Sequence, residues 1–562
     1  MNKQTTQKFS EGKPLKLALI FPPGIQPSSP PLGLAQLKSF LSGKGFSSDI
    51  RLFDLNLAHY DQALEWLQDG RLKMRLQGQD VLSSAREIGK ACEFFRESGS
   101  LNRFLDLETY NKCASIYRSF ESVLNGLFDY FARKHLLDMP VPGVAGGYLE
   151  ELLRPVTEFG PDLAGFSILF SQQIYFALAM SKILKRLGTK VVLGGATLAV
   201  MPHPERLLAE KTPVYVDEKR HELDLNGLID YLIVGEGEAA LAALLEHPGG
   251  DLSSVPGLIY KEEGKPKCNP RQIFSDLNVL PLPNFDDFPL GAYHSPLPIL
   301  PYLTSRGCFW GRCSFCTHRK TYLAYREEEI EQTIARLAKL QEQYGVHHFS
   351  FVDEMIHPHR FGQLSRVISE RGLSLKYSAY AKPTARFDGP LLKRLYRSGA
   401  RVIMWGVESG VQRVLDAMRK GSRVAVMDHV LREAHSAGIW NLIFLMFGFP
   451  SETKEEWEQT LRFVEAHRNN IDAISKSSFL LLPDSELFNN PDQHGITRVS
   501  DRPCRDLMSV AYDYEVSLGL AQHEVKKLFE QQMPTLRRYG RSPYFGLYRD
   551  HLLIHAACGA AT

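Results

Sequence analysis

The chain has 562 residues, of which 44% are hydrophobic and 23% charged, a composition typical of a folded protein of about three or four domains and not of a disordered chain. Lysine plus arginine number 66 and aspartate plus glutamate 64, which leaves a formal net charge of +2 and excludes a global field that attracts nucleic acid or an anionic membrane. Residues 1–14 form a polar tail without the apolar centre of a signal peptide, and the apolar runs stay far below the roughly eighteen residues that span a bilayer. We therefore expect a cytoplasmic protein with no membrane span and no nucleic-acid partner.

The first part of the chain alternates strands and helices. An apolar strand at residues 15–21 is followed by a helix from Pro31 and a second strand at residues 49–55, an order typical of a parallel α/β sheet. Aromatic residues at helical spacing interrupt this order and predict a helical insertion at residues 57–155. The alternation then resumes, so residues 15–260 are predicted to form one Rossmann-like, doubly wound domain.

A second α/β unit follows a linker. Residues 261–296 are rich in proline, aspartate and asparagine and predict an extended linker. Six strands alternating with helices at residues 297–490 predict a partial (β/α)6, TIM-like barrel. Residues 491–562 are predicted to be a helical C-terminal region, and their end interleaves charge and aromatic rings: Arg537, Arg538, Tyr539, Arg541, Tyr544, Phe545, Tyr548 and Arg549. This pattern can stack nucleic-acid bases, but with a net charge near zero we expect the tail to pack on the barrel.

Three of the eight cysteines lie close together. Cys308, Cys313 and Cys316 follow the first predicted barrel strand, where a loop faces the substrate. Three thiolates on one loop can ligate a 4Fe-4S cluster and leave one iron open to an external ligand. The main alternative is a structural zinc site with His318 as fourth ligand, and a third is a set of unrelated buried thiols. The cysteine pattern alone leaves these alternatives open.

The surroundings of the cysteines resemble the radical SAM superfamily, although four residues, not three, separate Cys308 from Cys313. Further similar segments end later strands: Phe351-Val352-Asp353-Glu354, Gly406-Val407-Glu408-Ser409-Gly410 and Gly448-Phe449-Pro450-Ser451-Glu452-Thr453. The resemblance implies that the three cysteines are the catalytic and metal-binding residues and that the open iron chelates S-adenosylmethionine. It implies S-adenosylmethionine contacts at Phe315, Asp353, Glu354, Lys382, Glu408 and Gly448. The acidic residues among these are alternatively helix caps or solvated charges.

The strand ends of the first domain resemble the cobalamin-binding domain that precedes many radical SAM domains. Small residues at such ends let a large planar macrocycle approach the backbone, and the resemblance implies cobalamin contacts at Ser167, Leu169, Gly194, Gly195, Gly235 and Glu236. A dinucleotide site is disfavoured because the first loop lacks G-x-G-x-x-G, and a flavodoxin-like domain without a ligand is the other alternative. The loop from Pro22 to Pro30 has no histidine, so we expect cobalt without a histidine from that loop, with Gln26 or water as candidates for its lower face.

Together the two resemblances imply a cobalamin-dependent radical SAM enzyme with three cofactors: a 4Fe-4S cluster, S-adenosylmethionine and cobalamin. We expect it to cleave S-adenosylmethionine reductively and to modify an unactivated carbon, most directly by C-methylation. One alternative is a radical SAM cyclase, rearrangement or oxidation enzyme that uses cobalamin without methyl transfer. Another is a cobalamin-binding sensor or assembly protein without turnover, which would not need an open iron. The family chemistry also implies a small-molecule or peptide substrate and an external one-electron reductant of the flavodoxin or ferredoxin kind.

Overall fold

The computed structural model describes most of the chain, namely residues 15–46, 50–77, 79–96, 99, 101–141, 143–246, 251–503, 509–536, 538–541 and 548–559. None of the described helices combines the length and the apolar character needed to cross a bilayer.

A mixed sheet forms the centre of the first domain. The strands of this domain are β1 (Leu17–Phe21), β2 (Ile50–Asp54), β3 (Leu163–Ser167), β4 (Lys190–Gly194), β5 (Lys211–Val216), β6 (Lys219–Asp224), β7 (Tyr231–Ile233), β8 (Leu258–Glu262) and β9 (Lys265–Cys268). Seven of them pair in the order β2-β1-β3-β4-β7-β8-β9. The first five of these run parallel, and β8 and β9 add antiparallel edges. Strands β5 and β6 form a separate hairpin.

Helices cover the sheet and form the insertion. They are α1 (Leu32–Gly43), α2 (Leu55–Gln68), α3 (Val81–Arg96), α4 (Leu101–Leu105), α5 (Leu107–Leu136), α6 (Tyr148–Phe159), α7 (Gln173–Arg186), α8 (Ala196–Val200), α9 (Arg206–Ala209) and α10 (Gly237–Glu246). Helices α2 to α6 contain the residues that were predicted as a helical insertion. Their aromatic rings are buried against one another, as Phe128 and Tyr148 are with ring centroids 3.8 Å apart.

The second sheet consists of parallel strands in chain order, as predicted for a partial barrel. This region contains β10 (Ile299–Tyr302), β11 (Ser305–Arg306), α11 (Arg319–Tyr322), β12 (Arg326–Glu327), α12 (Ile330–Tyr344), β13 (His348–Phe351), α13 (Pro358–Glu370), β14 (Lys376–Ala381), α14 (Gly389–Arg397), β15 (Ala400–Glu408), α15 (Gln412–Ala417), α16 (Val424–Ser436), β16 (Trp440–Phe447), α17 (Lys454–Ala466) and β17 (Ala473–Ser478). The sheet order is β10-β13-β14-β15-β16-β17, and every pairing is parallel. The predicted α/β fold class is therefore confirmed.

Two parts of the predicted organisation need correction. The predicted linker at 261–296 begins inside the first sheet, because β9 pairs with β8 and contains Pro266. A strand at the edge of a sheet tolerates proline. The amino-acid composition of this strand was therefore mistaken for that of a linker. The C-terminal region, predicted as helical from residue 491, follows α18 (Glu486–Asn489) and forms an antiparallel pair, β18 (Ile496–Pro503) and β19 (Tyr512–Val516), before α19 (Gln522–Leu536) and α20 (Arg549–Cys558).

Helix α20 packs against the inner face of the barrel. Alternate residues of β15 belong to two different buried clusters: Ile403 and Trp405 pack with the outer helices, while Val402 and Met404 pack with residues of α20. Successive side chains of a strand point to opposite faces, which explains this division. The prediction that the tail packs on the barrel is confirmed for α20. Arg537, Tyr544 and Phe545 of the predicted tail pattern lie outside the described residues.

Candidate active site

The carboxyl ends of strands from both sheets border one cavity of about 990 Å³. On the barrel side its lining includes Cys308, Cys313, Phe315, Cys316, Asp353, Glu354 and Glu408. On the side of the first domain it includes Ser167, Leu169, Gly194, Gly195, Gly235 and Glu236. The structure thus brings together the site residues predicted from two separate resemblances, except Lys382 and Gly448.

The cysteine loop is fixed to the segment that follows α15. The backbone N–H of Ser314 donates to the carbonyl of Met418 at 2.9 Å, and the Ser314 hydroxyl donates to the carbonyl of Ala417 at 3.1 Å. The indole N–H of Trp310 donates to the carbonyl of Arg419 at 3.0 Å. These bonds hold the loop in place without using any of the three thiols, which remain available as metal ligands.

The three thiols form one interacting group. Burial, together with the charges of the other two cysteines, raises the pKa of Cys316 to about 12. Burial also raises the pKa of Cys313. Thiols in such surroundings become thiolates only when a cation compensates their charge. Three free cysteines on the wall of one cavity therefore fit a metal cluster bound through three thiolates.

The zinc alternative is disfavoured by the position of His318. The imidazole forms an ion pair with Glu354, and that hydrogen bond raises the pKa of the histidine. A structural zinc site would need this imidazole and all three thiolates as ligands of one ion. A 4Fe-4S cluster instead binds each thiolate through a different iron, so its ligands do not need to meet at one point.

Two of the acidic residues that were predicted to contact S-adenosylmethionine form hydrogen bonds with neighbouring protein groups. Asp353 is buried and accepts hydrogen bonds from the backbone N–H and hydroxyl of Thr304, at 3.1 and 2.9 Å, and from the hydroxyl of Ser305 at 2.5 Å. It therefore anchors the start of the cysteine loop. Glu408 accepts from Nζ of Lys420 at 2.8 Å. Burial alone would lower the pKa of Lys420, but Glu408 and Cys313 raise it above its usual range, which keeps a cation beside the thiols.

Lys382 and Gly448 are not among the residues that line the cavity, and their contacts with S-adenosylmethionine remain predictions. Nζ of Lys382 lies 3.2 Å from the centroid of the Trp310 ring, and burial, together with the charge of Lys420, lowers its pKa to about 8. Gly448 has a φ of +75°, and a Cβ there would lie 2.4 Å from Cγ1 of Val525 in α19. The glycine is thus required for close packing of that helix.

The glycines at the end of β4 differ in their surroundings. Gly195 has a φ of +106°, and a Cβ there would lie 2.3 Å from the carbonyl oxygen of Ile168. A Cβ on Gly194 would have the carbonyl oxygen of Ile233 as its nearest atom, at 3.8 Å. The backbone at position 195 therefore requires glycine, whereas a side chain at position 194 would have open space in front of it. Leu169 and Phe170 remain 46% and 47% exposed beside this site, which suits contact with a large apolar ligand.

The predicted cobalamin contact Glu236 is engaged in a buried network between the domains. Its carboxylate lies 3.3 Å from Arg306 and 2.6 Å from Arg326, and it accepts from the backbone N–H of Phe274 at 3.0 Å. Arg306 also pairs with Glu238. The carboxylate of Glu236 thus joins the end of β7 to the cysteine loop, a role that sequence reasoning missed although both segments had been singled out.

The first loop carries no imidazole into the cavity. Gln26 lines the cavity, and its side-chain amide donates to Glu121 of α5 at 3.2 Å. Among the described residues of the lining, His318 is the one histidine, and it lies on the barrel side. Cobalt without a histidine from the loop remains a prediction.

Comparisons with known proteins identify one domain of the chain and two structures that share its fold. The profile of the radical SAM superfamily matches residues 302–464, which include the cysteine loop. The cobalamin-dependent S-adenosylmethionine radical enzyme OxsB superposes with a TM-score of 0.61 at 14% identity, over 96% of this chain and 72% of that one. The radical S-adenosylmethionine methyltransferase TsrM from Kitasatospora setae, solved with cobalamin and a [4Fe-4S] cluster, gives 0.53 at 16% identity, over 87% and 78%. The chain therefore contains a radical SAM domain.

The sequence relatives include two methyltransferases and a cyclase. An uncharacterized methyltransferase of Pyrococcus horikoshii is 27% identical over 324 residues, which make up 56% of this chain and 66% of the relative. The cytidylyl-2-hydroxyethylphosphonate methyltransferase of Streptomyces wedmorensis is 25% identical over 60% of this chain and 69% of its own length. The anaerobic magnesium-protoporphyrin IX monomethyl ester cyclase of Cereibacter sphaeroides is 26% identical over 60% and 53%. The chain thus contains a radical SAM domain and shares its overall fold with OxsB and TsrM, which confirms the predicted resemblance to radical SAM proteins.

Proposed function

We propose that this protein is a cobalamin-dependent radical SAM enzyme that methylates an unactivated carbon. One observation carries the proposal: a single cavity is bordered by three free cysteines on one side and by the open strand ends around Gly194 on the other. Such an arrangement lets two different cofactors act on one bound substrate. The methyltransferases among the relatives support methyl transfer as the reaction.

The chain's own residues bind and orient the reacting groups. When bound, the cluster and S-adenosylmethionine supply a 5′-deoxyadenosyl radical, and cobalamin supplies the methyl group. Cys308, Cys313 and Cys316 hold three irons, and Phe315 and Glu408 border the space for S-adenosylmethionine. The apolar barrel wall excludes water, which protects a carbon radical from side reactions.

On the first domain, Ser167, Leu169 and Gly194 border the space for cobalamin. Gly195 and Gly235, with φ values of +106° and +108°, shape the backbone beneath it. The buried network of Arg306 with Glu236 and Glu238 fixes this domain relative to the cysteine loop. This fixed placement keeps the methyl donor and the radical source at a constant distance from the substrate.

The reaction consumes two molecules of S-adenosylmethionine and two electrons for each substrate. One S-adenosylmethionine yields methionine and, after hydrogen abstraction, 5′-deoxyadenosine. The other gives up its methyl group and leaves as S-adenosylhomocysteine. The electrons come from an external one-electron reductant, and we propose that the enzyme acts in the cytoplasm, since its sparse cysteines favour a reducing compartment.

Product analysis tests this proposal. The reconstituted enzyme, given S-adenosylmethionine, reductant and a cell extract under anaerobic conditions, should form 5′-deoxyadenosine and S-adenosylhomocysteine in about equal amounts, together with a product heavier by one methylene. Cys313→Ala should abolish 5′-deoxyadenosine, whereas Cys268→Ala, a change at an exposed cysteine outside the cavity, should not.

Ring closure without methyl transfer is the second candidate function, and the cyclase among the relatives favours it. Substrate-dependent 5′-deoxyadenosine without S-adenosylhomocysteine would support this candidate and contradict methyl transfer.

A further inference from the structure

Arg549 brings a guanidinium into the cavity from the C-terminal end of the chain. It is the first residue of α20 and lines the cavity. Its Nη1 donates to the hydroxyl of Tyr380 at 2.8 Å, and the guanidinium carbon lies 5.1 Å from the centroid of the Phe444 ring. Tyr380 and Phe444 are parallel, with ring centroids 5.9 Å apart and an interplanar angle of 10°. These side chains form one wall on the inner face of the barrel.

Arg549 forms no direct ion pair among the described residues, although its charge acts on the adjacent Asp550 and partly opposes the rise that burial causes in the pKa of that carboxyl. Each other cationic side chain among the described residues of the lining has a carboxylate partner: Arg306 with Glu236 and Glu238, Lys420 with Glu408, Arg336 with Glu328, and His318 with Glu354. Within the part of the chain that the structure describes, no carboxylate lies within 4.0 Å of the Arg549 guanidinium. Charged groups in partly desolvated sites are normally paired.

The adjacent acid is engaged elsewhere. Asp550 is buried and accepts from the hydroxyl of Ser28 at 2.8 Å, which ties α20 to the first loop. Burial raises the pKa of Asp550, and its hydrogen bonds with Ser28 and Ser29, together with the charge of Arg549, partly oppose this change. The Arg549 guanidinium, which has five N–H donors, therefore keeps most of its hydrogen-bonding capacity for a ligand in the cavity.

We propose that the substrate carries an oxyanion, a carboxylate or a phosphate group, that binds to Arg549. This inference rests on the proposed function, because it assigns the substrate of that same cavity. A planar guanidinium matches the two oxygens of either group. The rings of Tyr380 and Phe444 and the side chain of Met404 would then border the carbon skeleton beside the anion. Arg549 is thus a specificity-determining residue that binds substrate without taking part in the radical chemistry.

Binding of small probes to the enzyme loaded with cluster, cobalamin and S-adenosylmethionine tests this proposal. Isothermal titration should detect benzoate or phenyl phosphate more strongly than the neutral benzamide, and the two anions separate a carboxylate site from a phosphate site. Arg549→Gln should weaken binding of the preferred anion about ten- to hundredfold, since a charge-assisted hydrogen bond contributes about 1.5–3 kcal/mol. Arg549→Lys should bind the anion more strongly than Arg549→Gln but more weakly than the wild type, because lysine keeps the charge and lacks the planar guanidinium.

Arg538→Gln is the matched control, because it removes an exposed arginine of the same tail and should leave probe binding unchanged. Equal binding of anions and benzamide, no binding of either anion at millimolar concentration, or an unchanged affinity in a folded Arg549→Gln variant would each overturn the proposal. Iron and cobalt contents are measured on the same samples. Probe binding is read without turnover, so failure of the anion site is distinguishable from failure of the proposed function.

Discussion

The buried network between the domains predicts a large and pH-dependent loss of stability in Arg306→Gln. The Arg306 side chain is 8% exposed, and those of Glu236 and Glu238 are 2% and 6% exposed. Removing one partner of a buried ion pair costs about 3–5 kcal/mol, because the remaining charge is left uncompensated. Glu236 keeps its ion pair with Arg326 at 2.6 Å. The carboxylate that is left without a partner is therefore mainly that of Glu238. We therefore expect a decrease of about 3 kcal/mol in the free energy of unfolding at neutral pH.

The sign of the pH dependence follows from Glu238. Burial alone would raise the pKa of this carboxyl, but Arg306 holds it below its usual value of 4.5. The stabilisation is therefore present above about pH 4.5 and disappears as the pH falls through the lower, folded-state pKa. In Arg306→Gln the carboxyl can take up a proton, so the difference from the wild type should shrink at acid pH.

Urea denaturation at several pH values measures this effect. Arg371→Gln is a matched control, since Arg371 and Glu331 pair at 2.7 Å with both side chains 63% exposed, and it should remain within about 1 kcal/mol of the wild type. Adding Glu238→Gln to Arg306→Gln should recover much of the loss. A loss no larger than that of the control, or one independent of pH, would refute this reasoning.

Two further substitutions test the site and its surroundings. Gly194→Val should eliminate cobalamin binding, measured as cobalt content, and leave the melting temperature unchanged. Gly195→Val should lower the melting temperature, because its Cβ would collide with Ile168. A normal cobalt content in Gly194→Val would show that cobalamin binds elsewhere. Burial raises the pKa of Glu452 to about 7, so the wild type loses stability between about pH 4.5 and 7, and Glu452→Gln should be more stable by about 3 kcal/mol at pH 8 and nearly unchanged at acid pH. Glu456→Gln, which removes a partner of Arg413, should instead destabilise the protein at pH 8, and equal behaviour of the two variants would contradict this assignment.

Local patterns were sufficient to predict the two sheets and most of the cavity lining. The carboxyl ends of parallel strands meet at one edge, so Cys308, Glu408 and Gly194 could be assigned to strand ends from the order of strands alone. What a side chain does there depends on partners far away in the chain. Asp353 accepts a hydrogen bond from Thr304, and Glu236 forms an ion pair with Arg306. Neither pairing could be predicted from the residues next to it in the sequence.

The contribution of the C-terminal end was also beyond local reasoning. The alternation of arginine and tyrosine predicted a packed tail, but not that Arg549 would contact Tyr380, which lies 169 residues earlier in the chain. The prediction of the linker was wrong for another reason, which concerns an edge strand. Proline and lysine in β9 resembled a linker, because composition cannot distinguish an edge strand from an extended connection.

The central claim is that one cavity holds both the cluster and cobalamin. Anomalous X-ray scattering from crystals of the anaerobically reconstituted enzyme, recorded at the iron and cobalt absorption edges, tests it most directly. We expect about four irons beside Cys308, Cys313 and Cys316, and one cobalt facing Gly194 across the same cavity. Zinc alone at the cysteine loop, or cobalt bound outside this cavity, would contradict the account.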